Sequence, residues 1–196
     1  MKTPDQYYEA STCYFSKPGS NATERVLECV HKRARELNIK DVLIASVTGA
    51  TALKAREILG PDVRIIVVTH VTGFEKPNQQ EMPLEVHEKL RSMGVNVLTT
   101  QHAFGGVGRS IRKQLGAYQV DEIIAFTLRT FGHGTKVAIE LALMAADAGL
   151  IRTDQDVISV GGTERGVDTA LVLQPANSAD FLRLKVREII CKPSRF

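Results

Sequence analysis

The chain has no tryptophan, and aromatic residues make up only 6% of its 196 residues. Stacking platforms of the kind that bind single-stranded nucleic acid therefore have little material. A formal net charge of +3 adds no strong electrostatic footprint. The basic residues sit in stretches such as HKRARE (31–36) and RLKVRE (183–188), where acidic residues accompany them, as on solvated helix faces. Three cysteines, Cys13, Cys29 and Cys191, are too few and too far apart for a disulfide framework, and no CxxC pair offers a zinc site. Reduced thiols of this kind fit a cytoplasmic setting. No apolar run approaches the roughly 20 residues that span a bilayer. The opening MKTPDQYYEAS has no secretory apolar core. The expectation is a soluble, cytoplasmic protein with no membrane or nucleic-acid partner.

What is present is a regular alternation. Apolar, β-branched runs at 41–47, 63–69, 95–100, 121–127 and 156–160 read as strands. Helical patterns fill the gaps at 51–59, 83–93, 107–117 and 135–148, and a first helix is expected over 21–38, where Asn21 and Glu24 have capping-box spacing. Buried strands separated by helices predict one α/β/α domain over 1–196 with a mostly parallel sheet, in the order 3-2-1-4-5, and an N-terminal extension over 1–20. The segment 169–175 follows the preceding strand too closely for a parallel crossover, so it is expected to pair antiparallel at the sheet edge. A final helix is expected over 178–190, capped by Asn177 or Ser178. An open edge at 169–174 would also be a route to a homo-oligomer.

Ligands of such sheets bind beyond the carboxyl ends of the strands, near the switch in strand order. Ser46, Thr48, Gly49 and Thr51 form one candidate turn there, ahead of a helix whose free N–H groups suit an anion; Thr48 or Thr51 could equally be a plain N-cap. The stretch 129–136 gathers Arg129, Thr130, Phe131, Gly132, His133, Gly134, Thr135 and Lys136, as a binding loop or a flexible connection. It lacks the Gly-Lys-Ser/Thr of a nucleotide P-loop. QHAFGGVGRS, with His102, Phe104, Gly105 and Gly106, fails the dinucleotide fingerprint but can bring backbone close to a ligand or to another chain. His70, His102 and His133 fall at predicted strand exits; without HxH or HExxH spacing, hydrogen-bonded loop histidines are expected in preference to metal ligands. Arg165 either clamps an anion or lies in solvent. The Ala-rich 136–149 reads as a helix buried on the sheet. No nucleophile–base arrangement stands out, so spacing assigns no catalytic residue.

Two segments resemble a known family. Ser46-Val47-Thr48-Gly49-Ala50-Thr51 is similar to the [ST]-x-[ST]-G-x-[ST] turn after the first strand of the pyruvate kinase C-terminal domain, and DQDVISVGGTERGVDTALVLQP (154–175) resembles that domain's closing strand–loop–strand. The resemblance implies that fold over most of 21–175. It also implies a phosphate seat at Ser46, Thr48, Gly49 and Thr51, with Gly161, Gly162, Thr163 and Arg165 as a lid. Val47 stands where the family's turn carries a lysine, and the lid lacks the family's tryptophan. The catalytic barrel of pyruvate kinase is not among these residues, so phosphoenolpyruvate chemistry is not expected of them.

Over its whole length, including the Asn21-x-Thr23 helix start and the stretches THVTGF (69–74), QHAFGG (101–106) and TFGHGTK (130–136), the chain looks more like small stand-alone pyruvate kinase α/β-domain-like relatives, mainly archaeal. That resemblance implies FMN as a ligand, with Phe74, Phe104 and Phe131 placed to stack on its ring. The leading expectation is thus binding of a phosphorylated small molecule, FMN foremost. The competitors are a flavin-dependent oxidoreductase with His102 or His133 as proton donor, and a regulatory module that senses a sugar phosphate.

Overall fold

A computed structural model describes residues 7–196. Its strands are β1 (Cys13–Phe15), β2 (Asp41–Ala45), β3 (Arg64–Val68), β4 (Asn96–Leu98), β5 (Val157–Gly161), β6 (Thr169–Gln174) and β7 (Lys185–Pro193). The helices are α1 (Thr23–Leu37), α2 (Ala50–Leu59), α3 (Leu84–Ser92), α4 (Val107–Leu115), α5 (Val120–Arg129) and α6 (His133–Asp147). The strands form one sheet in the order β1-β7-β6-β5-β2-β3-β4. β6 pairs antiparallel with both of its neighbours, and the remaining pairings are parallel.

Alternation along the strands sends neighbouring residues to opposite faces. Val42 and Ile44 of β2 join a core with Val26, Leu27 and Val30 of α1 and Ala52, Ala55 and Leu59 of α2. Leu43, between them, joins the other core, under α6. α6 is the most deeply buried helix of that layer: twelve of its residues, from Gly134 to Ala146, are inaccessible or nearly so. Its small side chains let it lie close to the strands. Gly134 and Gly161 set the closest approach, because a Cβ on Gly161 would overlap the Gly134 carbonyl oxygen and one on Gly134 would meet Thr169 and Asp168.

The α/β class, the mainly parallel sheet and the antiparallel pairing of 169–174 are as expected. Three elements differ. The run 121–127 is helical, part of α5, and the place beside β2 belongs to β5. Ile124, Ala125 and Leu128 of α5 face the core, yet Val120, Ile123 and Phe126 on its outer side are also apolar. Apolar residues on both faces erase the 3.6-residue period and imitate a buried strand.

The segment 178–190 is not one helix. Ser178–Arg183 is a 3-10 turn, and β7 follows it. The i, i+4 spacing of Leu182, Val186 and Ile190 favours a helix locally, but pairing with β6 satisfies a whole row of backbone groups. Ser178 is held by an N–H donated to Asp147 rather than acting as a cap. β7 and β1 therefore extend the sheet beyond β6, which leaves no open edge at 169–174 for self-association.

The first six residues of the extension expected over 1–20 lie outside the described residues; its later part supplies β1. Asn21 does not cap α1. A 3-10 turn (Ser20–Ala22) precedes the helix, and Thr23 accepts the Val167 N–H instead. No helix among the described residues is long and apolar enough to cross a membrane.

Replacing Gly161 with alanine forces a methyl group into the Gly134 backbone. The expected cost is about 1–3 kcal/mol, read as a lower urea midpoint with an unchanged slope.

Candidate functional site

The carboxyl ends of β2 and β3 and the loop after β4 meet the start of α6 around a cavity of about 190 Å³. Ser46 and Val47 come from the turn after β2, and His70 and Phe74 from the segment after β3. His102 and Arg109 come from the glycine-rich loop and α4, Arg129 from the end of α5, and His133, Lys136 and Glu140 from α6.

Lys136 and Glu140 are one helical turn apart, which puts both on the same side of α6. Their side chains are 6% and 4% exposed and form an ion pair of 2.5 Å. The second carboxylate oxygen of Glu140 accepts the Phe104 N–H at 2.9 Å. One buried carboxylate thus holds a lysine on its own helix and the backbone of the glycine-rich loop. His102, two residues before Phe104, lies with Nδ1 3.9 Å from Glu140 and accepts the Val71 N–H at Nε2 (3.4 Å). This acceptor role assigns the proton to Nδ1.

Above them lies a stack of rings. His70 and Phe74 are 4.0 Å apart between centroids, Phe74 and His102 are 5.3 Å apart and nearly parallel, and the Arg109 guanidinium sits 4.8 Å over Phe74. His70 is fixed through Nδ1 to Glu81 at 2.8 Å. Among the described residues no three His, Cys, Asp or Glu side chains gather as metal ligands.

Burial sets the charge state. It pushes His102 down to about 4, with Glu140 opposing and the neighbouring cations adding to the effect. His133 is lowered by burial and then by Arg129 and Lys136. Burial also lowers Lys136, against the pull of Glu140. His102 is therefore neutral at pH 7, and Arg109, Arg129 and Lys136 face the cavity against the single lining carboxylate, Glu140.

Of the residues singled out by sequence, Ser46, His70, Phe74, His102, Arg129, His133 and Lys136 meet at this cavity. Thr48, Gly49 and Thr51 are not among its lining residues; they follow Ser46 and Val47 at the start of α2, where Thr48 is exposed and Thr51 half-buried. Gly49 has φ 89°, and a side chain there would run into Val86. No side chain caps α2 at its N-cap; Ser46 Oγ accepts the Ala52 N–H from one turn away. α6 likewise starts at Gly132 without a side-chain cap.

Other candidates have structural partners. Phe104 is buried edge-on to Phe181, Gly105 lies beneath Arg109, and Gly106 packs on Gln101. Thr130 and Thr135 donate to Thr127 and Phe131 carbonyls, and Phe131 points to solvent. Gly134 lies against Asp168 and Thr169. Gly161, Gly162 and Thr163 belong to a loop tied down by the buried Asp168, which accepts N–H groups of Thr163 and Gly19. Gly166 packs it on Thr23 and Ser20, at the start of α1, and Arg165 is exposed. Glu140 and Arg109 were not singled out; the available signal for Glu140 was a Lys–Glu pair at i, i+4 inside an otherwise apolar helix.

A histidine whose pKa is depressed on folding stabilises the protein above its unfolded value. Between pH 6.5 and 4 the unfolded chain binds the proton that folded His102 refuses, so stability falls as pH drops through that window. The expected loss is on the order of 3 kcal/mol, and His102→Gln should flatten it. Urea unfolding at pH 7 and pH 4.5 measures both.

A family model, pyruvate kinase alpha/beta domain, matches residues 24–173. A crystal structure of a pyruvate kinase from Cryptosporidium parvum is 18% identical, with 82% of this chain and 24% of that chain covered and a TM-score of 0.40. The same organism's enzyme in complex with ADP gives 17% identity, 89% and 25% coverage and a TM-score of 0.39. The chain thus spans about a quarter of the length of the solved enzymes it matches. The matched span takes in well over half of the sequence, and the chain belongs to the pyruvate kinase alpha/beta domain family.

Proposed function

We propose that this domain binds a phosphorylated small molecule at the carboxyl edge of its sheet, with FMN as the candidate ligand. The observation that carries this reading is the charge of the cavity. Arg109, Arg129 and Lys136 face one lining carboxylate, and Ser46 and Val47 lead from the cavity into α2, where Ser46 Oγ takes the Ala52 N–H and Gly49 offers no side-chain cap to the N–H groups before Ala52. An anion gains there from both charge and oriented N–H groups. Thr48, Gly49 and Thr51 would hold the phosphate, and His133 and Lys136 would line the inner wall.

The phosphate end of FMN suits these donors. The ring is more demanding, because Phe104 is buried and Phe74 is covered by Arg109, so a flavin would lie on the rim with Arg109 displaced from Phe74. When bound, the flavin would supply redox chemistry. His102 is a poor proton donor for that chemistry, since burial keeps it neutral at pH 7. Three cysteines without a disulfide support a cytoplasmic setting.

Titration of the purified protein with FMN, followed by quenching of flavin fluorescence, tests the reading. FMN should bind more tightly than riboflavin. Thr48→Val with Thr51→Val should weaken FMN by about 1–3 kcal/mol for each charge-assisted bond lost, with riboflavin unaffected. Equal binding of the two flavins would remove the phosphate seat, and no binding of FMN would remove the flavin.

A further inference from the structure

The three cysteines of the chain, far apart in sequence, come to one place in the fold. Cys13 on β1 and Cys191 on β7 are partners in the parallel pairing of those strands, and such partners carry their side chains on the same face. α1 covers that face. Cys191 shares a core with Val26 and Val30 of the helix, and Cys13 and Cys29 pack against that core from its edge. Cys29, on α1, meets Cys13 thiol to thiol, close enough for a hydrogen bond between them.

Access separates the three. Cys191 is fully buried, whereas Cys13 and Cys29 are partly exposed and together line a cavity of about 320 Å³. Burial raises the Cys29 thiol, and Arg25 on the wall of the same cavity pulls it back. Burial also raises Cys191, and the other two thiols add to the effect. A thiol sealed in an apolar core is inert; two thiols in contact beside an open cavity are not.

We propose that Cys13 and Cys29 are a reversible redox pair, which a low-molecular-weight disulfide oxidises to an intrachain disulfide between β1 and α1. One of the two thiolates attacks a sulfur of the small disulfide and expels its other half as a thiolate. The neighbouring thiolate then attacks the mixed disulfide on the protein sulfur and expels the second half. Two electrons pass from the protein thiols to the small disulfide, which leaves as two thiols, and Cys191 stays reduced. The bond closes a loop sixteen positions long. It ties β1, a three-residue edge strand whose only strand neighbour among the described residues is β7, to the helix above it. A transient bond of this kind is what a reducing compartment allows. The pair does not depend on what the cavity beside α6 binds.

Equilibration of the full chain with reduced and oxidised glutathione, followed by alkylation in denaturant, intact mass and peptide mapping, tests the proposal. Under excess oxidised glutathione only one of the three thiols should remain free, the mass should fall by two hydrogens with no glutathione retained, and the bridged peptides should be those of Cys13 and Cys29. The melting temperature should rise by roughly 5–10 °C, as for a loop of this length, and dithiothreitol should reverse the rise. Cys13→Ser and Cys29→Ser should each abolish it and leave glutathione on the remaining thiol of the pair. Cys191→Ala should still close the bridge. A wild type that keeps all three thiols, stops at a glutathione adduct, or bridges through Cys191 or between two chains would overturn the proposal. Oxidation without a rise in melting temperature would overturn it as well.

Discussion

A carboxylate with almost no access to water must be paired, and Glu140 is paired twice over. Lys136 neutralises its charge from the same helix, and the Phe104 N–H satisfies its other oxygen from the glycine-rich loop. Desolvating the two ions costs several kcal/mol each, and only a short contact with the remaining hydrogen bonds made offsets that. The geometry of the cavity follows from this arrangement. With Phe104 fixed to α6, His102 sits two residues away against the same carboxylate, and the loop leads into α4 and Arg109. Two walls of the cavity are therefore referenced to one side chain on the most deeply buried helix of its layer.

That helix could not lie so deep with larger residues. Gly134 against Asp168 and Thr169, and Gly161 against the Gly134 carbonyl, let the start of α6 approach the ends of β5 and β6. The same approach takes His102, His133 and Lys136 partly or wholly out of water, and burial then lowers the pKa of each. Packing and electrostatics are consequently one property here. The cavity keeps its permanent charge on two arginines and one lysine, while burial biases the His102 and His133 imidazoles towards the neutral form.

The sequence made much of this legible where a single periodicity ruled. β2, β3 and β5 are continuous apolar runs, and α6 is apolar with small residues; each fell where the pattern placed it. α5 did not, because an outer face as apolar as its inner one removes the contrast that distinguishes helix from strand. β7 did not, because the i, i+4 spacing of Leu182, Val186 and Ile190 speaks for a helix, whereas the unpaired side of β6 speaks for a strand, and only the folded sheet contains the second term. At the site, the residues at strand exits and at the α6 start were visible as polar, glycine-bearing turns. Glu140 was hidden by its surroundings, since a lone acid in an apolar helix shows its importance only when its partner loop, distant in sequence, arrives. Gly161, Gly162 and Thr163 looked like a ligand loop by family resemblance, but Asp168 holds that loop towards the start of α1.

The most direct measurement is a double-mutant cycle on the buried pair, using Glu140→Gln, Lys136→Met and both together, read by urea unfolding at pH 7. Glutamine keeps an acceptor for the Phe104 N–H while leaving Lys136 charged and alone, so that single change should cost about 3–5 kcal/mol. The double variant removes the stranded charge and should be more stable than Glu140→Gln, with a coupling of several kcal/mol between the sites. Additive single costs would contradict the account, because they would mean that Glu140 and Lys136 act independently and that the cavity is organised by something else.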